Sequence, residues 1–150
     1  MRSMNGSNTD LLHDFMNSHC LMALSTSDGL NIWNSSVNYL SDKWLNLYFV
    51  CDMCNECTDN VIEHPLVALD IIDGEDIISE RMEIQARGIC EIIGEEKWPR
   101  VLKLWNDKYK DKELSIEDLK RRHLCLYKIV LIKLRYYDSN LINKVVEFEF

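Results

Sequence analysis

Short apolar blocks alternate with polar punctuation along the chain, and most of the blocks read as strands. Residues 20–26 (CLMALST) form a compact apolar run, and Ser27-Asp28-Gly29 after it is a turn in which glycine supplies positive φ. Residues 30–39 read as a second strand with Asn34, Ser35 and Ser36 polar inside it. Ser41-Asp42-Lys43 turns the chain into a third strand that starts at Trp44, because Trp44, Leu45, Leu47, Tyr48, Phe49 and Val50 are aromatic or aliphatic. A polar loop bearing cysteines follows. Thr58 is placed to cap a short helix over 59–64, and Pro65 ends it. Residues 66–72 are a fourth strand, and Asp73-Gly74-Glu75-Asp76 is a turn.

In residues 82–93 the alternation sets Met82, Ile84, Ala86, Gly88, Cys90 and Ile92 on one face. Gln85, Arg87, Ile89, Glu91 and Ile93 take the other. Gly94-Glu95-Glu96 opens a helix to about Tyr109, with Trp98, Val101, Leu102 and Trp105 on its apolar side and Pro99 in its first turn. Ser115 with Asp118 three residues later caps another short helix. Residues 124–137 and 144–150 are the last strands, and Thr9-Asp10 caps a helix to about Ser18. Short spacings through the first four strands favour an antiparallel sheet or barrel over βαβ units. The fold class expected is α+β, mainly β: one domain over 1–150, with residues 1–8 as a disordered tail.

Composition narrows the function. A net charge of −8 argues against nucleic acid, which needs clustered Lys and Arg. No apolar run approaches the roughly 20 residues of a membrane-spanning helix. Residues 1–9 lack the apolar core of a secretory signal, so a reducing, cytoplasmic setting with free thiols is expected for the six cysteines. Cys51, Cys54 and Cys57 have CxxCxxC spacing, which admits a thiolate metal site or ordinary loop and core thiols; the missing fourth cysteine favours the thiols and no metal. Cys20, Cys90 and Cys125 lie in apolar runs and read as core. None of His13, His19, His64 and His123 neighbours a nucleophile motif, so catalytic residues stay unassigned. Lys120-Arg121-Arg122 reads as a solvated helix end.

The pieces ALSTSDG, NYLSD at a strand end, LYFVCD, CTDN, HPLVALD, IQARGICEII and YKIVLIKLRYYD, in that order, resemble the FMN-binding split-barrel family, the pyridoxamine 5'-phosphate oxidase-like proteins. The resemblance runs from about residue 11 to 150. It implies a six-stranded antiparallel split β-barrel with short flanking helices, a homodimer, and FMN at the dimer interface in a flavoprotein oxidoreductase acting on a small-molecule substrate. It carries cofactor contacts onto Asn34, Ser35 and Ser36, onto Cys51 at the end of the third strand, onto Thr58, and onto Gln85 of a Gln-x-x-Gly pattern completed by Gly88. The family's phosphate-gripping lysine falls on Cys57, and no Lys or Arg lies between Trp44 and Arg81. Asp52, Glu56 and Asp59 surround that loop, so a phosphate there would forgo charge-assisted bonds worth about 1.5–3 kcal/mol each. Scarce basic residues also argue against true pyridoxamine-phosphate oxidase activity. The other reading is a split barrel that has lost flavin and serves as a binding or interaction module. Haem-degrading relatives of this fold use a C-terminal loop that bears a histidine, and the C-terminal strand here has no histidine, which disfavours that reading.

Overall fold

The computed structural model describes residues 6–53, 55–73, 80–141 and 145–150. In chain order these form α1 (Gly6–Ser18), β1 (Leu21–Ser27), β2 (Ile32–Ser41), β3 (Leu47–Asp52), α2 (Glu56–Glu63), β4 (Leu66–Asp73), β5 (Met82–Ile92), a 3-10 turn (Glu95–Lys97), α3 (Trp98–Lys108), α4 (Ile116–Arg121), β6 (Leu124–Asp138) and β7 (Val145–Glu149). All strand pairings are antiparallel. The order is β3-β2-β1-β4-β5-β6-β7, and β3 also pairs with β6, which closes six strands into a barrel. β6 makes this closure because it is long: Leu124–Ile129 pairs with β3, and Lys133–Tyr137 runs on to pair with β7.

The barrel is filled by alternating inward side chains, among them Met22, Leu24, Tyr39, Phe49, Leu69, Ile84, Tyr127 and Leu134. Phe49 and Tyr127 stack across the β3–β6 seam with centroids 4.9 Å apart. A second core lies outside the barrel wall. There Leu40, Tyr48, Leu126 and Ile93 meet Trp98, Val101, Leu102 and Trp105 of α3 and Leu119 of α4. The α3 face expected from 3.6-residue spacing is therefore the buried one, and the Ser115–Asp118 capping box is formed. α1 is anchored by Lys108, whose ammonium donates to Met16 O at 3.2 Å, a cation against the carbonyl end of a helix.

Three local expectations are corrected. The third strand begins at Leu47, not Trp44, because the Asp42 carboxylate gathers the intervening residues into a turn. Its Oδ1 accepts from the N–H groups of Trp44 (2.9 Å) and Asn46 (3.0 Å), and Leu45 takes φ 64°. α1 starts at Gly6, earlier than the Thr9-Asp10 cap; residues 1–5 lie outside the described residues. On β5 the register shifts between Arg87 and Gly88, where an added Cβ would lie 2.5 Å from Val130 O, so only glycine fits this approach. Beyond the shift the alternation drifts: Ile92 is exposed and Ile93 is buried, the reverse of the simple pattern. The turn expected over 73–76 falls largely on residues outside those described, as does Cys54. No helix among the described residues is long and apolar enough to cross a membrane.

Candidate functional site

The stretch from β3 to α2 is built by one asparagine. Asn55 is the N-cap of α2: its Oδ1 accepts from Cys57 N–H at 2.9 Å. Its carbonyl takes the N–H groups of Thr58 (2.9 Å) and Asp59 (3.3 Å), and its own N–H bonds Asp52 O at 3.3 Å. Thr58 is thus not the cap but a residue of the first turn, and it faces inward. Thr58 Oγ1 lies 2.7 Å from Asp52 O and 2.7 Å from the Tyr127 hydroxyl. With a single proton, it donates to the carbonyl and accepts from the tyrosine. Cys57 is fully buried and Cys51 nearly so. Asn60 is buried as well and donates to Thr26 Oγ1 at 3.1 Å. α2 is therefore a plug on one end of the barrel, tied down by its polar first turn.

The remaining expected residues lie elsewhere. The pairings place Asn34 opposite Ser25 and Ser36 opposite Ala23 on the outward face of the sheet, while Ser35 lies opposite Leu24 on the inward side. Asn34 Nδ2 donates to Ser25 Oγ at 2.9 Å. Gln85 continues the row Ser36, Ala23, Asp70 across the sheet, and its amide donates to Glu83 at 2.7 Å. The set inferred from the resemblance thus divides: Asn34, Ser36 and Gln85 share an exposed outer face, whereas Cys51, Cys57 and Thr58 are enclosed at the barrel end.

That outer face carries a second feature that sequence spacing alone did not flag. Leu66, Ile89 and Val130 are paired across β4, β5 and β6, and each is exposed by 41% or more. Farther along the same strands and on the same face, the Asp70 carboxyl interacts with that of Glu83, and Arg81 lies 2.7 Å from Glu83. Burial, then the Glu83 charge, raises the Asp70 carboxyl to about 6, and Asp70 Oδ1 has no hydrogen-bond partner. The described residues on the opposite, helix-covered side line cavities of which two bear on the site. One, of about 330 Å³, lies between Tyr48, Ile93, Lys97, Arg100 and Lys128. The other, of about 460 Å³, runs over Met53, Trp98, Leu119, Lys120, His123 and Cys125.

A phosphate would be held at α2 by free helix N–H groups and a cation. Three first-turn N–H groups are already satisfied by Asn55, the first turn carries Glu56 and Asp59, and Arg81 is engaged by Glu83. This end of the barrel does not fit an FMN phosphate. The described residues hold no group of three or more His, Cys, Asp or Glu side chains arranged for a metal ion. The five described cysteines are free.

No protein-family model matches the sequence, and no curated protein matches it. Solved structures do. A Listeria innocua protein assigned as a pyridoxamine 5'-phosphate oxidase is 20% identical with a TM-score of 0.68, over 85% of this chain and 96% of its own. A heme binding protein from Mycobacterium smegmatis is 12% identical with a TM-score of 0.74, over 98% of this chain and 60% of its own. HutZ, the heme storage protein of Vibrio cholerae, is 13% identical with a TM-score of 0.68, over 81% and 88%. With the closed six-stranded barrel and the extra strand, these likenesses show that the chain has the split-barrel fold of the pyridoxamine 5'-phosphate oxidase-like proteins.

Proposed function

We propose that this protein is a split-barrel binding module that forms a homodimer through its bare outer face and has given up the flavin phosphate grip at α2. One observation carries the reading: the α2 first turn is satisfied by Asn55 and ringed by carboxylates, where a phosphate needs free donors and positive charge. The Leu66, Ile89 and Val130 row supports the dimer, since an apolar strip on a sheet face is stabilised by a self-complementary partner.

A second reading rests on Arg87. It is exposed on the outer face, one cross-strand step from Ala68 and in the same row as Asn34. An FMN laid across this face would have its phosphate held by Arg87 and its ring contacted by Asn34 and Gln85, with the flavin supplying the redox chemistry. Titration with FMN and with riboflavin, followed by thermal unfolding, separates the two. The module reading expects no stabilisation by FMN. Stabilisation of about 2.7 kcal/mol at one hundred times Kd, lost in Arg87→Ala, would establish the second reading instead.

A further inference from the structure

The chain carries a net charge of −8, yet the 330 Å³ cavity on the helix-covered side is lined by three cations and two carboxylates. Its floor is a cross-strand row: Lys128 of β6 pairs with Tyr48 of β3 on one side and with Glu91 of β5 on the other. Its roof is the start of α3. The spacing that buries Trp98 and Val101 leaves Lys97 and Arg100 exposed at the same end of the helix, and both line the cavity. These cations remain available. Neither Lys97 nor Lys128 has a carboxylate within ion-pairing distance among the described residues. Arg100 stands 4.0 Å from Asp42, which already accepts from Trp44, Asn46 and Tyr48. Asp42 and the apolar core beneath α3 are complete without it, so the guanidinium keeps its donors.

An apolar track leads out of this cavity. Ile92 and Ile93 line it and also line the 460 Å³ cavity, whose walls include Met53, Trp98, Leu119 and Leu124. Ile92 and Met53 stay 42% and 52% exposed, although both are large and apolar. Lys120 in this second cavity is paired with Glu95 at 3.2 Å. Available charge is thus gathered at one end and apolar surface at the other.

We propose that the two cavities form one binding site for a medium-chain acyl carboxylate, the anion of a fatty acid. The carboxylate lies among Lys97, Arg100 and Lys128, where the guanidinium fork matches its two oxygens. The chain runs over Ile92 towards Met53 and Leu124, and its methylenes leave water. The first cavity has an excess of a single positive charge, which suits a carboxylate better than a phosphate dianion. This side of the wall is the one away from Asn34 and Gln85, so the proposal is independent of what the outer face binds.

Calorimetric titration of the full chain with sodium octanoate, kept below micelle formation, tests the site. Saturable one-to-one binding is expected, with affinity rising from butyrate through hexanoate to octanoate by up to about fourfold per methylene. Octanol, which keeps the chain and lacks the charge, should bind at least about tenfold more weakly. Arg100→Ala should weaken octanoate at least about tenfold, and Arg100→Lys should recover only part of the loss. Lys103→Ala removes the same charge from the same helix outside both cavities and should bind octanoate as the unmutated chain does. Equal weakening in Arg100→Ala and Lys103→Ala would overturn the proposal, since it marks general charge attraction. So would no saturable octanoate binding, octanol binding as tight as octanoate, a flat chain-length series, or inorganic phosphate binding more tightly than octanoate. These last four are read on the unmutated chain and need no variant to fold.

Discussion

The two outer sides of the barrel wall carry similar side chains but are finished differently. On the side of β2, β3 and β6, the apolar residues Leu40, Tyr48 and Leu126 are roofed by α3 and α4. The carboxylate there, Asp42, is 6% exposed and receives Trp44 N–H, Asn46 N–H, Asn46 Nδ2 and the Tyr48 hydroxyl, each within 3.0 Å. On the side of β4 and β5, Leu66 and Ile89 are exposed with no helix over them among the described residues, and the carboxylate Asp70 keeps an unpartnered oxygen beside Glu83. The first side is satisfied within one chain. The second has the composition of a surface that waits for something, and the difference separates structural residues from candidate functional ones more cleanly than residue type does.

The largest effect should come from breaking the finished side. Asp42→Ala strands a tyrosine hydroxyl and two backbone N–H groups, and hydrogen bonds to a charged group are worth about 1.5–3 kcal/mol each. Urea unfolding should show a loss of about 3 kcal/mol or more, with the slope unchanged. A smaller, pH-dependent effect belongs to Asp70. Its folded carboxyl is raised from 3.8 to about 6, so the folded state holds the proton more tightly than the unfolded one. Its stabilising contribution is present at low pH and is lost as pH rises through about 6. Stability measured across this window should fall with rising pH, and Asp70→Asn should flatten that slope. The smallest effect on protomer stability is expected from Ile89→Lys, within about 0.5 kcal/mol. The same change should abolish self-association in sedimentation experiments; an intact dimer would place the interface elsewhere.

What was legible in the sequence was what adjacent residues decide. The buried α3 face, the Ser115–Asp118 cap and the strands of β4 and β6 follow from periodicity and local hydrogen bonding. The α2 cap was misread because Asn55 and Thr58 are both good caps three residues apart, and only the inward pull of Tyr127, 69 residues along the chain from Thr58, decides between them. Trp44 reads as strand by composition, but one carboxylate two residues earlier outweighs that preference. The site divided for the same reason: neighbours such as Asn34, Ser35 and Ser36 alternate between faces, and which face lies outside is set by barrel closure.

β6 serves two assemblies along one strand, with β3 on its early half and β7 on its late half. Ring closure and sheet extension are therefore mechanically separable. β7 could lift away, or yield its place to another strand, while the six-membered ring keeps every one of its own ladders, so the late half of β6 is where this architecture tolerates exchange.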